Sequence, residues 1–413
     1  MQHLEHLRGF YNFIDLELDD CPVRFSVVLP SERAIAEWTH FPIAALPRSG
    51  RVANGRGLTH AGCHASGLGE AVELASCCAW GDEPLVFASA SQLGPRAISS
   101  KQVLGLTSAQ YDARDTWNAE YAAFDWRPKP CHPASIVPWV EVADAYSGEP
   151  LLAPADAILI GRREAGDEAA VAIGDSNGCA SGSTLEAAKV AAILELIERD
   201  ALARWWYGRR GRPVIRSPVR ADHTALGSHL ASRRRTCSVF DITTDTGIPA
   251  FAAVSAEPSG SDVAIGSAAA LAHGEAVLSA ITEMLQMEIT LEIVRETSGA
   301  PATWGRWRRD VTMDVPPLSA SAPVTDTGGS LAPGDRSEGL RVCLDACAAA
   351  GISLFFIELT RPELGVPAVR ALSTDLCHFK PRFGRRRLLA EDSRDGARTD
   401  DALETPNPVL LLV

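Results

Sequence analysis

From Thr184 to Tyr207 apolar residues run almost without a break, which predicts one long helix over 184–207. A glycine turn at Gly178 leads into it, Ser183 or Thr184 can cap it, and Glu186 falls in its first turn. Into the apolar series are set Glu195 and Glu198, followed by Arg199. Residues three apart share a helix face, one turn from each other. A carboxylate among Ile193, Leu194, Leu196 and Ile197 is costly to bury unless a cation or hydrogen bonds compensate it.

The pattern returns twice. Ser66–Ser76 reads as an Ala-rich helix carrying Glu70 and Glu73, and residues 274–296 as a third helix carrying Glu283 and Gln286. Each helix sets an acid one turn from a second oxygen donor. Converging on one pocket, the three would form a cluster of hard oxygen ligands suited to magnesium, with phosphates completing its shell. The alternative is three solvated helix faces, since charged side chains mostly face water.

Shorter apolar runs predict strands at Val23–Leu29, Ile136–Val142, Leu151–Ile160, Leu354–Leu359 and Ala368–Leu372. Val239–Thr244 and Pro249–Ser255 form a strand pair around Asp245-Thr-Gly247. Residues 305–338, rich in Pro, Ser and Gly, read as a mobile loop, either a lid or an insertion. The polar stretch 390–405 reads as a loose tail.

The stretch Gly178–Trp206, with Glu-Leu-Ile-Glu-Arg-Asp-Ala and a Trp pair, resembles the YcaO family. Gly55-Arg56-Gly57 with Ala65-Ser66-Gly-Leu-Gly-Glu70-Ala71 is similar to that family's first nucleotide and metal segment, and Ala280–Gln286 to its third. Gly247-Ile-Pro249 and Gly365–Arg370 fit its strand segments, so the resemblance covers roughly residues 50–390. It implies an α+β fold of mixed and antiparallel sheets packed with long helices, with an ATP site between helices and sheet. The domain layout it implies is an N-terminal extension over 1–50, a catalytic domain over 51–390 and a tail over 391–413. Glu70, Glu73, Glu195, Glu198 and Glu283 are implied as Mg2+ ligands, and Arg56, Ser66, Ser183, Arg199 and Gln286 as ATP contacts.

The activity implied is ATP-driven phosphorylation of a backbone amide oxygen in a ribosomally made precursor peptide. Azoline-forming cyclodehydration is the first choice, with a separate protein binding the leader peptide. Thioamide or macrocyclic amidine formation uses the same chemistry, and a non-enzymatic ATP-binding accessory protein is the rival reading. The chain departs from the family at Ser183, where Asn is usual, at Ala187, where an acid is frequent, and at Glu288, where Arg is common. Its end, Pro406-Asn-Pro408, matches only part of the Pro-rich tail of azoline-forming members. Residues 1–50 leave no room for the peptide-binding domain that precedes this region in several relatives, so a stand-alone unit is expected. A homodimer is an allowed assembly.

Composition narrows the remaining classes. With 413 residues, 46% hydrophobic and 22% charged, the chain can bury a large core. A net charge of −13 argues against nucleic-acid binding, which needs a basic surface. The basic runs Arg233–Arg235 and Arg385–Arg387 read as solvated faces or substrate-phosphate contacts. No stretch approaches a membrane span, and the start lacks the order of a signal peptide, so a cytoplasmic protein is expected. Ten cysteines contain no Cys-x-x-Cys pair. Cys343 and Cys347 read as core residues of one helix face, and Cys77 and Cys78 as packing residues.

No Gly-rich phosphate loop of the kind carried by carboxylate-activating ligases is found, which sets that class aside.

Overall fold

The computed structural model describes the whole chain except residues 1, 17, 19, 39–51, 216–218, 220–222, 298–300, 320, 326–337, 390–405 and 413. It resolves into two compact units. The first is Met1–Glu17, Arg24–Leu196 and Gly351–Asp375; the second is Leu18–Val23, Ile197–Ala350 and Leu376–Val413.

In the first unit β1 (Tyr11–Leu16), β2 (Arg24–Pro30) and β3 (Ala53–Gly57) form an antiparallel sheet in that order. The N-terminal segment expected as an extension therefore shares a sheet with the first predicted nucleotide segment. A second sheet contains β4 (Val86–Ser89), β5 (Ile136–Asp144), β6 (Pro150–Pro154), β7 (Cys179–Ser181), β13 (Phe355–Glu358) and β14 (Ala368–Leu372). Its order is β4-β5-β13-β14-β7, with β6 also paired to β5, and all its ladders are antiparallel. The core beneath joins both sheets through Val28, Leu68, Val72, Val140, Val142, Leu159 and Phe355.

In the second unit β8 (Arg212–Ile215), β9 (Thr236–Asp241), β10 (Ala250–Ala256), β11 (Ala264–Ala269) and β12 (Ser321–Thr325) make one sheet in the order β11-β10-β9-β8-β12. Its ladders are antiparallel apart from the parallel pair β8–β12. The long helix His273–Glu296 packs on β10 and β11. The fold is thus α+β with mostly antiparallel sheets, as the resemblance implies.

Two expectations about elements need correction. The run Leu151–Ile160 is a strand only to Pro154; Ala155–Ile158 turns into a short helix. Ala-Asp-Ala-Ile lacks the β-branched density that would hold it extended, and burial alone does not separate a short helix from a strand. The supposed loop 305–338 contains the end of the helix Ala302–Asp310, whose Trp307 is buried and donates to the Val263 carbonyl at 2.7 Å, and then β12. Residues 326–337, the rest of that stretch, lie outside the described residues, as does the tail 390–405.

The basic runs also differ from expectation. Arg233 pairs with Glu288 at 2.8 Å and Arg235 with Glu257 at 3.1 Å. Arg387 is held between Asp200 and Asp245 at 3.0 and 2.6 Å. These guanidiniums are structural counter-ions to acids of their own unit. The departure at Glu288 is thereby balanced, since it faces two arginines from the β9 side.

Candidate nucleotide and metal site

The three acidic helices form as His60–Cys77, Leu185–Trp206 and His273–Glu296, the first starting six residues earlier than the patterning places it. Thr59 caps the first, accepting from Gly62 N at 3.1 Å. Of the two capping candidates for the central helix, Thr184 serves: its Oγ1 accepts from Ala187 N at 3.1 Å. Ser183 precedes it and is exposed.

Glycines let strands press onto these helices. A Cβ on Gly55 of β3 would meet the Cys63 carbonyl oxygen at 2.2 Å, and one on Gly67 would meet Gly55 N at 3.0 Å. Strand and helix backbones therefore touch at Cys63, three residues before Ser66-Gly-Leu-Gly-Glu70, and again at Gly67 within it. Ser181 Oγ of β7 donates to the Gly69 carbonyl at 2.9 Å, fixing the turn that carries Glu70 and Glu73. Gly266 of β11 does the same in the second unit. A Cβ there would lie 2.0 Å from Met284 N and 2.6 Å from the Glu283 carbonyl carbon.

Glu198 Oε1 accepts a hydrogen bond from Ser267 Oγ at 2.7 Å, and Arg199 Nη1 lies 3.0 Å from the same carboxylate. Arg199 also sits over the Phe379 ring at 5.3 Å. Two neighbouring residues of β11, Gly266 and Ser267, thus fix the turn of Glu283 and the side chain of Glu198. The central helix supplies residues to both units, through Leu196 to the first and from Ile197 to the second.

All five glutamates, with Arg56, Arg199 and Gln286, are partly buried, whereas Ser66 and Ser183 are exposed. The Glu198 side chain is 12% exposed, and a carboxylate withdrawn that far from water requires compensation, which Ser267 and Arg199 supply. Among the described residues no three His, Cys, Asp or Glu side chains are gathered closely enough to hold a metal ion alone. Magnesium is usually held by one or two carboxylates together with phosphate oxygens and water, so carboxylate pairs are the donor set that fits a metal arriving with a nucleotide.

Patterning missed the ion network beneath this segment. Asp200 and Arg204 are fully buried. Asp200 accepts from Cys377 N at 2.9 Å and pairs with Arg387, while Arg204 Nη1 donates to Asp245 at 2.9 Å. Burial acts to raise the Asp245 carboxyl, but Arg387 and Arg204 outweigh it and hold it down to about 2. The signal in the sequence was Asp200 and Arg204, i and i+4 in an apolar helix, a spacing that pairs them along one face.

The cysteines are core groups. Cys77, Cys78, Cys343 and Cys347 are buried, and burial pushes the Cys343 and Cys347 thiols up to about 12. Cys63 donates to Ser26 Oγ at 3.3 Å, and His64 Nε2 lies 2.7 Å from Asp15.

Residues 54–377 match the family model described as YcaO cyclodehydratase, ATP- and Mg2+-binding. The chain belongs to the YcaO family. No curated protein matches it. Among solved structures, a heterocyclase in complex with substrate and cofactor is similar, with 27% identity and a TM-score of 0.81 over 94% of this chain and 54% of that one. The heterocyclase TruD gives 27% identity and a TM-score of 0.68, over 93% of this chain and 53% of that one. YcaO from Methanopyrus kandleri, bound with AMPPCP and Mg2+, shares the fold at 18% identity and a TM-score of 0.60, over 91% of this chain and 88% of that one. The chain spans about half the length of both heterocyclases. ATP and Mg2+ are thus the ligands of the family to which the chain belongs. Among the described residues no helix is long and apolar enough to cross a membrane.

Proposed function

We propose that this YcaO protein uses ATP and Mg2+ to activate a backbone amide of a ribosomally made peptide, and that the product is an azoline ring. Glu70, Glu73, Glu195, Glu198 and Glu283 hold magnesium in this reading, and Arg56, Ser66, Ser183, Arg199 and Gln286 contact the nucleotide. The observation that carries it is the match over 54–377 falling on three helices whose acids are all partly buried.

An amide oxygen is a poor leaving group, and ATP with magnesium supplies the phosphoryl group that makes it a good one. The chain's task is to orient that polyanion and neutralise its charge, with Arg199 set beside Glu198 to reach a phosphate. The attacking Cys, Ser or Thr side chain belongs to the substrate peptide. A leader-binding partner protein and a cytoplasmic setting complete the reading, and thioamide or amidine formation differ only in the nucleophile.

The test is incubation with the precursor peptide, ATP, Mg2+ and the partner. ADP and phosphate should appear in step with modification, and peptide mass should fall by one water per ring. Glu198→Gln should abolish both, because a neutral amide is a far weaker magnesium ligand. Arg199→Ala should weaken ATP binding by calorimetry. Modification at full rate without ATP, or in Glu198→Gln, would refute the reading and favour the accessory protein.

A further inference from the structure

The second sheet of the first unit has a gap in it. Trp139 of β5 is paired with Val86 on one side and Pro154 on the other, and Ala143 with Phe356 and Pro150. β4 and β13 therefore lie on the same side of β5, at its two ends. Between them Val140, Glu141 and Val142 pair only with β6, and beyond Phe356 the residues Ile357 and Glu358 pair only with β14. Among the described residues nothing completes these ladders on the facing sides.

The gap is a cavity of about 810 Å³. Its floor is core: Val140, Val142, Leu159 and Leu359. Its rim is charged. Arg361 donates to Asp82 at 2.7 Å and to Glu83 at 2.5 Å, and lies over the Trp80 ring at 4.6 Å, which fixes the loop at the mouth. Glu141 and Glu358, also on the rim, are exposed and have no cationic partner among the described residues. The neighbouring edge strand leaves apolar side chains in solvent, with Val86 45% and Phe87 67% exposed and Ile136 of β5 69%.

An open pair of strand edges over an apolar floor is the arrangement that takes up an extended peptide by strand addition. Three open residues at about 3.3 Å each make an edge roughly 10 Å long, enough for a three-residue strand. Glu358 Oε1 accepts from Thr360 Oγ1 at 3.0 Å, which leaves its charge unbalanced, and carboxylates without a cation favour a cationic partner and disfavour an acidic one.

We propose that this gap docks an extended segment of the peptide substrate as a short added strand, with an apolar residue on the floor and Lys or Arg residues against Glu141 and Glu358. The proposal rests on the amide-activation reading for the identity of the peptide, but not for the binding itself, which needs no ATP.

The test uses the full chain and a fluorescein-labelled heptapeptide of alternating Lys and Val, followed by anisotropy without nucleotide. The peptide should bind, and its Glu/Val counterpart should not. Glu141→Lys with Glu358→Lys should weaken binding at least about tenfold, the scale of one lost charge-assisted contact. Methylating the amide nitrogen of every second residue, which needs no protein variant, should weaken it about tenfold, the scale of one or two lost backbone hydrogen bonds. Glu338→Lys with Asp345→Lys, the same change of charge made on the exposed face of the helix Gly339–Ala349 in the second unit, should leave affinity unchanged and so separates the rim from overall charge. Equal binding of the acidic peptide, or indifference to the paired substitution or to methylation, would overturn the proposal. Intact capture with no ATP-dependent modification would sink the amide-activation reading and spare the gap; intact modification with no capture would do the reverse.

Discussion

At the scale of single residues, the two capping candidates of the central helix separate cleanly. Thr184 holds the first turn of the central helix through Ala187 N, whereas Ser183 stands outside it. Thr184→Ala should cost about 1 kcal/mol of stability, the usual worth of an N-cap side chain, and Ser183→Ala close to nothing. Urea unfolding of the two variants checks this, and equal losses would contradict the assignment of the cap. If Ser183 contacts nucleotide as proposed, its substitution should instead appear in ATP affinity.

At the scale of elements, the acids are positioned by close backbone contact rather than by long side chains. Gly266 is the sharpest case, with Met284 N at 2.0 Å and the Ala280 carbonyl oxygen at 2.5 Å from where a Cβ would stand. Neither neighbour is a side chain that can swing away. Gly266→Val should therefore push the helix His273–Glu296 off β11 and cost about 3 kcal/mol or more, the upper range for overpacking. It should also weaken ATP binding, because Glu283 and Gln286 ride on the displaced turn. A variant with unchanged melting temperature and ATP affinity would show that the strand and helix do not meet there. The pairing of Gly55 with Gly67 makes the same argument for the turn before Glu70.

At the scale of the whole molecule, each unit carries its own polar network. In the second, Asp245 binds Arg387 and Arg204 while Asp200 holds Arg387 from the other side. The Asp245 carboxyl is lowered in the fold, so its contribution is present above the ordinary aspartate range and is lost as pH falls through about 2. Asp245→Asn should cost about 1–2 kcal/mol near neutral pH, discounted because the side chain is 36% exposed. The difference from the parent should shrink as pH falls from about 4 toward 2, read from melting temperatures at each pH. A difference constant across that range would rule out the pairing.

The sequence alone determined the three acid-bearing helices, the hairpin around Asp245-Thr-Gly247 and the family. Helical period, turn residues and motif spacing are local properties, carried within some twenty residues, and they survive in one dimension. It also determined that Glu195, Glu198, Glu70, Glu73 and Glu283 stand in apolar frames. Tertiary structure decided what one dimension cannot hold. β3, β7 and β11 were missed because Asn54-Gly-Arg-Gly57, Cys179–Ser181 and Gly266-Ser-Ala-Ala lack a strong alternating pattern; they are strands because helices and neighbouring strands cover them. Arg387 reads as one of three exposed arginines, yet it meets Asp200 and Asp245 from 187 and 142 residues away. The gap between β4 and β13 exists only because two strands distant in sequence pair with opposite ends of β5. Such pairings depend on which surfaces remain after the core has formed, and that is a property of the packed chain, not of any segment within it.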